Sequence, residues 1–284
     1  MSAAQDLAPG LYLVATPIGN LEDTTLRAIR VLKQVDVIAC EDTRQTQKLL
    51  NHYGIETRTV SYHEHNERSR AAELGEKLAQ GGRVAVVSDA GMPGISDPGF
   101  GLVSVAIERG IPVVPVPGAA AFASALVASG LPAETFTFHG FLPPKSSARR
   151  RRLEQVRNSR GTEIFYEAPH RISETLEDVA AILGPERRVV VARELTKIHE
   201  EFLRGPAGEV LETIRSRGEI RGEITLLVGP AAGEPDHAVP VSMRERIDAI
   251  MREEKLGQKE ALKKAAKERG ISKSEAYREW QRTR

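Results

Sequence analysis

"VAVVSDAGMPGISDPG", residues 84–99, is the stretch on which the fold turns. A run of small and β-branched residues from Val84 to Val87 stops at Ser88 and Asp89, and Gly91, Pro93, Gly94, Pro98 and Gly99 follow. The chain then resumes as "FGLVSVAIERG", with apolar residues at helical spacing. That is a strand, a glycine-rich loop and a helix. Such a layout commonly cradles a nucleotide, yet the loop has neither the Gly-Lys-Ser/Thr ending of a phosphate loop nor a G-x-G-x-x-G fingerprint. It carries an acid where a phosphate would need a donor.

The same alternation runs outward in both directions. Upstream, "GLYLVATP", "VDVIACED" and "TRTVSY" read as strands, separated by helices over "EDTTLRAIRVLKQ" and a segment closing at Gly54, and followed by one over "ERSRAAELGEKLAQ". Downstream, "IPVVPVPG" is a strand and "AAAFASALVASG" a helix. Several strands are almost wholly apolar, which fits a parallel sheet covered by helices on both faces. The series pauses at Leu131 and Pro132. "TFTFHGF", "TEIFYE", "RRVVVARE", "EEFLRG" and "GEITLLVG" then supply strands of a second sheet, and the short turn before residues 200–204 predicts an antiparallel hairpin. "GPAAGEPDHAVP" reads as a linker. "ALKKAAKERGISKSEAYREW" reads as helix, turn at Gly270, Ser272 cap and helix, with Ala265, Ile271, Ala276, Tyr277 and Trp280 as its small core. The expected architecture is α/β. It has a first α/β domain over residues 1–132 with a mostly parallel sheet, and a second over 133–230 with a mixed sheet. A linker over 231–240 and a helix-turn-helix module over 241–284 complete it.

Composition narrows the function. The net charge is +1, so any nucleic-acid contact has to come from local patches. The single Cys40 excludes an intramolecular disulfide and suits a reducing cytosol. Residues 1–10 are small and polar, so no signal peptide is expected. No apolar run approaches the roughly 20 residues of a membrane span. A cytoplasmic protein is therefore expected.

In open parallel sheets, ligands bind beyond the carboxyl ends of the strands. Here those ends read "TPIGNLED", "CEDTR", "SYHEHNE", "SDAGMPGISDPG" and "VPGAAA", all polar or rich in glycine and proline. The glycines allow close backbone approach. The carboxylates and carbonyls favour a cation over a polyphosphate. A ligand with an ammonium, a sulfonium and an adenosine fits, and S-adenosylmethionine has all three.

"LVATPIGNLEDTTLRAIRVLKQVDVIACEDTR", "SDAGMPGISDPG", "PVPGAAA", "EAPHR" and "GEITLLV" together resemble the tetrapyrrole methylase family, the class III S-adenosylmethionine-dependent methyltransferases. The resemblance covers about residues 10–230. It implies two α/β domains with the methyl donor in the cleft between them, and a homodimer. The TPIGN, EDTR, HEHNE and EAPHR forms are similar to members that act on ribosomal RNA. They imply 2′-O-methylation of a cytidine in the decoding region of 16S rRNA, with the small ribosomal subunit as partner. A corrin or porphyrin precursor methylase of the same fold, and a nucleic-acid-binding regulator with a vestigial donor site, stay open as alternatives.

Carried over position by position, the resemblance implies donor-binding roles for Thr16, Pro17, Ile18 and Gly19, for Asp89, Ala90, Gly91 and Pro93, and for Pro117, Gly118 and Ala121. Ser88 and Ala90 depart from the family's commoner Gly and Pro. In the second domain, Tyr166, Glu167 and Ala168 and then Gly222, Glu223 and Ile224 fall where backbone groups would hold the adenosine. A ribose hydroxyl is a poor nucleophile while neutral, so a base nearby is expected. The candidates are Glu41, Asp42, His63 and Glu64, with Arg44 to orient an acid or hold a phosphate. His63 and His65 have the i, i+2 spacing of a metal pair, but no third ligand lies at motif spacing, and no metal is expected. "KSSARRRRLEQVRNSR" supplies Lys145, Arg149, Arg150, Arg151 and Arg152 as the predicted RNA-contacting helix.

Overall fold

The computed structural model describes residues 6–63, 65–96, 99–231, 243–268 and 271–282. Residues 6–231 lie in one compact unit, and the described tail residues lie in a second. The first unit holds two five-stranded sheets.

The first sheet is parallel throughout, with strands β1 (Gly10–Val14), β2 (Val37–Cys40), β3 (Thr59–Ser61), β4 (Arg83–Val87) and β5 (Val113–Val116) in the order β3-β2-β4-β1-β5. Helices α1 (Leu26–Gln34), α2 (Thr43–His52), α3 (Glu67–Ala79) and α4 (Phe100–Glu108) make the crossovers. One face packs α1 residues Ala28, Val31 and Leu32 against Tyr12, Val14 and Ile38, and the other packs Leu74, Leu78 and Leu102 against Leu11, Val84 and Val86. Burial of both strand faces explains the unbroken apolar runs. α1 starts late because Thr25, not Asp23, is its cap, with the Ala28 N–H donating to Thr25 Oγ1 at 3.0 Å.

Helix α5 (Ala121–Ser129) follows β5 and ends at Gly130, whose φ of +79° closes the helix in the left-handed region. α5 packs on the second sheet, where Ala125 and Leu126 meet Ile164, Val190 and Leu227. That sheet runs β6-β7-β10-β8-β9, built from β6 (Phe136–Phe141), β7 (Thr162–Glu167), β8 (Arg188–Arg193), β9 (Glu201–Pro206) and β10 (Ile224–Val228). β6 pairs parallel with β7, and every other pairing is antiparallel, including the predicted hairpin of β8 and β9. α6 (Ser146–Gln155), α7 (Ile172–Leu183) and α8 (Ala207–Ser216) cover its other face.

The predicted linker lies, apart from Ala231, outside the described residues, as does the predicted turn at Gly270. The tail forms three helices where the sequence suggests a pair, namely α9 (Met243–Glu254), α10 (Gln258–Glu268) and α11 (Lys273–Arg282). Met243, Ile247 and Ile250 of α9 join Ala261, Leu262, Ala265 and Ala276 in a core of its own. Ser272 and Glu275 form a reciprocal capping box at α11. One expectation fails. Tyr277 is 47% exposed, because the stripe of α11 that meets the core runs through Ala276 and Trp280, and Tyr277 lies one residue off it. Among the described residues, no helix is long and apolar enough to cross a membrane.

Candidate active site

Strand order decides which loops meet. β4, β1 and β5 are neighbours, so the loops after them open on one edge. The first two loops are cross-linked, because Thr16 and Gly91 exchange both backbone hydrogen bonds, at 2.9 and 3.1 Å. Thr16 Oγ1 also donates to the Ser88 carbonyl at 3.0 Å, and Ser88 Oγ donates to the Gly91 carbonyl at 3.1 Å. Ser88 therefore braces the loop from within. Gly91 holds φ at +86°, a conformation that favours glycine.

This edge faces the strand ends of the second sheet across a cleft of about 420 Å³. Of the predicted donor-binding residues, Ile18, Asp89, Ala90, Gly91 and Ala121 line it from the first sheet, and Tyr166, Glu167, Ala168, Gly222, Glu223 and Ile224 from the second. Thr16, Pro17, Gly19, Pro93, Pro117 and Gly118 are not on its wall. Two of these, Gly19 and Gly118, are closely packed. A Cβ on Gly118 would stand 2.8 Å from Ala15 Cβ, and one on Gly19 would stand 2.9 Å from the Leu195 carbonyl oxygen.

The sequence did not single out Phe141, Phe122, Met92 or Leu195, all of which line the cleft. Phe141 is placed by a β-bulge. The register of β6 against β7 shifts between Phe138 and Phe141, and Gly140 takes φ +68° there. A bulge re-aims the next side chain, and Phe141 meets Tyr166 edge-on with centroids 5.5 Å apart.

The cleft volume lies within the roughly 300–1,000 Å³ of small-molecule sites. Its lining combines apolar residues (Ile18, Met92, Phe141) with the "DAG", "EAP" and "GEI" segments, Asp89 among them. Glu167 offers only backbone, since its buried carboxylate already accepts from Ala168 N, Arg171 and Thr175. Apolar walls interrupted by a few polar groups are those of a site for a small organic ligand.

The catalytic candidates lie beyond Asp89. Its Oδ1 accepts the Asp42 backbone N–H at 3.1 Å, tying the EDTR loop to the cleft wall. The Asp42 carboxylate caps α2, accepting Arg44 N at 2.8 Å, and binds the Arg44 guanidinium at 3.2 and 3.0 Å. Those bonds hold Asp42 below the usual carboxylate range, so it is a poor base. Glu41 is shifted the other way. Burial raises it, the negative charges of Asp89 and Asp42 add to the rise, and His63 opposes it. His63 has its Nε2 3.3 Å from Asn66 Nδ2, and its buried Nδ1 has no partner among the described residues. Glu64 lies outside the described residues. The His63 and His65 rings stand edge-on at 5.9 Å, and no group of three potential metal ligands occurs among the described residues.

The arginine run needs a correction. Arg149 is only 2% exposed, because it lies on the inner stripe of α6 with Leu153. Its Nε donates to Asp178 at 2.8 Å, which removes it from any RNA-facing set. Arg150 shares Asp178 and is half-exposed, while Lys145, Arg151 and Arg152 are exposed.

The two-sheet architecture and its inter-sheet cleft are those of a methylase. Residues 10–211 match the model of the Tetrapyrrole (Corrin/Porphyrin) Methylases, and the chain belongs to that family. It is 50% identical over 274 residues to Ribosomal RNA small subunit methyltransferase I of Halalkalibacterium halodurans, covering 94% of this chain and 93% of that protein. The enzyme of the same name from Bacillus subtilis is 47% identical over 272 residues, covering 94% and 92%. Among solved structures, uroporphyrin-III-C-methyltransferase from Thermus thermophilus superposes with a TM-score of 0.54 at 22% identity, over 79% of this chain and 96% of that one, a likeness of fold alone.

Proposed function

We propose that this chain is a cytoplasmic enzyme that transfers a methyl group from S-adenosylmethionine to the ribose 2′-oxygen of a cytidine in 16S rRNA, with the small ribosomal subunit as substrate. The observation that carries the reading is identity of 47–50%, over 94% of the chain, to proteins named as small-subunit rRNA methyltransferases. S-adenosylmethionine, when bound, supplies a methyl group for in-line displacement. The chain supplies position and a base.

In this reading Asp89 faces the cationic part of the donor, and Tyr166 and Phe141 flank its adenosine. Glu41, raised by burial and by its acidic neighbours, takes the proton of the 2′-hydroxyl, because a carboxylate of raised pKa is the stronger base. Asp42 and Arg44 hold the loop that carries Glu41. Lys145, Arg150, Arg151 and Arg152 contact phosphates. The reading includes a homodimer. α4 and α5 leave Phe100, Ile107 and Val127 largely in solvent, apolar surface of the kind a second copy covers.

The test is transfer of tritium from labelled S-adenosylmethionine to stripped small subunits, to naked DNA and to porphyrin precursors. Label confined to the 16S rRNA of the subunits, recovered as 2′-O-methylcytidine, is the expected result. Label in the porphyrin arm, or on a base, would refute it.

A further inference from the structure

The connection between β8 and β9, residues 194–200, is built at a cost in strain. Glu194 and Thr196 both hold positive φ, +53° and +66°. For a β-branched residue such as Thr196 this is an unfavourable conformation, which persists only where the surroundings impose it. They do so here from both sides. Glu194 Oε1 accepts the Glu223 N–H at 3.0 Å and Lys197 Nζ at 2.8 Å, and Lys197 also reaches Glu223 Oε2 at 3.2 Å. The Thr196 N–H donates to Glu200 Oε2 at 2.7 Å. From the first domain, Gly19 presses on Leu195, Thr196 and Lys197 so closely that it has no room for a Cβ. Leu195 and Glu223 are themselves walls of the cleft.

At the tip of this pinned turn stand Ile198, 97% exposed, and His199, also exposed. A single exposed isoleucine on a loose loop would need no explanation. One held out beside the cleft by two strained residues and four side-chain bonds does. A second opening of about 620 Å³ adjoins the cleft, sharing Pro169 and Gly222 with it, and is lined by His170, Arg215 and Arg221.

We propose that Ile198 and His199 are an RNA contact, in which the isoleucine wedges into a base step next to the target nucleotide and the imidazole stacks on the freed base. The proposal rests on the RNA reading above. Placing one 2′-oxygen in line with a methyl donor at the bottom of a cleft is helped by separating that nucleotide from its neighbours. Apolar wedges open such steps, and planar side chains hold splayed bases. A rigid tip suits this task because no ordering cost falls on the protein at binding.

The experiment compares the full chain with its Ile198→Ala, His199→Ala, His199→Phe and doubly alanine-substituted variants on small subunits with tritiated S-adenosylmethionine. Donor affinity is read by calorimetry and oligomeric state by sedimentation. The expected result is a fall of about tenfold to a hundredfold in kcat/KM for the RNA in the double variant. Donor affinity and oligomeric state should be unchanged, and His199→Phe should retain most activity. Double-variant activity within about twofold of the parent would overturn the wedge while leaving the RNA reading intact. So would lost donor binding, which marks a structural role, or a changed oligomer, which marks a contact between copies. If the parent itself labels no RNA, the RNA reading fails and the wedge with it.

Discussion

Gly222→Ala tests whether the cleft wall and the 194–200 turn are one mechanical unit. Gly222 lines the cleft at φ +95°. A Cβ there would stand 2.4 Å from Glu194 Cδ and Oε1 and 2.5 Å from Cγ. The carboxylate cannot swing aside without releasing the Glu223 N–H and Lys197. Two costs follow. A non-glycine residue in the left-handed region loses about 1–2 kcal/mol. Losing hydrogen bonds to a charged group that is 18% exposed loses roughly 1.5–3 kcal/mol more. The sum, about 2.5–5 kcal/mol, corresponds in a unit of this size to a Tm lowered by roughly 5–20 °C. Scanning calorimetry reads the stability and titration calorimetry the donor affinity, which falls because Glu223 and Leu195 move. The control is a double-mutant cycle with Glu194→Ala. With the carboxylate gone, Gly222→Ala should cost only its backbone share of about 1–2 kcal/mol. A single variant within about 0.5 kcal/mol of the parent, or an equal cost in both backgrounds, would refute the collision.

Arg149→Ala and the Arg151→Ala/Arg152→Ala pair should separate cleanly. The first leaves the buried Asp178 with only the half-exposed Arg150 as its partner and destabilises by about 1.5–3 kcal/mol, seen in urea unfolding, while the second leaves stability alone and lowers the salt dependence of RNA binding by about one to two counterions. Glu41→Gln should lower kcat with donor affinity kept. Because a base works only when deprotonated and Glu41 is raised by burial, Asp89 and Asp42, the rate should rise with pH through that raised value. Asp89→Asn keeps an acceptor for the Asp42 N–H but removes the charge, so the rising limb should move to lower pH, and an unmoved limb would remove Glu41 from the base role. Deleting residues 241–284 should weaken small-subunit binding and leave donor binding intact, since α9, α10 and α11 enclose their own core. Equal loss of both in filter-binding and calorimetric assays would count against an RNA role for the tail.

The alternation of strands and helices was legible because the apolar runs report burial on both faces. Neighbour relations were not, because side-chain alternation says nothing about which strand lies beside which. The order β3-β2-β4-β1-β5 puts the loops after β1, β4 and β5 on the cleft, and leaves the EDTR and HEHNE loops on the far side of Asp89. A reader of sequence sees five equivalent strand ends, while the structure divides them into a group on the cleft and a group beyond it. Arg149 shows a signal that was present and outweighed. It stands at i−4 from Leu153 and i−7 from Val156, both buried, so helical spacing already puts it on the inner stripe, although the run of four arginines reads as an RNA-contacting face. Phe141 shows the opposite case. Its place on the cleft depends on a bulge at Gly140, and one inserted residue reverses every inference from strand alternation.

The helix α5 explains why cleft and stability should not be separable in this chain. By sequence it completes the first series of strands and helices. By packing it belongs as much to the second sheet, with Ala125 and Leu126 buried against Ile164, Val190 and Leu227. Its last carbonyls are held from the second sheet, since Arg204 of β9 donates to Ala128 at 2.7 Å and Ser129 at 3.1 Å while lying over the Phe202 ring. A cation at a helix C-terminus is favoured by the helix dipole, so the join is electrostatic as well as apolar. Ile18, which lines the cleft, is buried in the same cluster as Leu195 and α5. The two halves therefore cannot part without exposing that core, and a ligand that bridges the cleft stabilises contacts already made. Donor binding should accordingly raise Tm by mass action without requiring a domain closure, and scattering profiles with and without S-adenosylmethionine should superpose for the compact unit. A marked contraction on binding would show that the halves are hinged, and that α5 is a joint and not a seam.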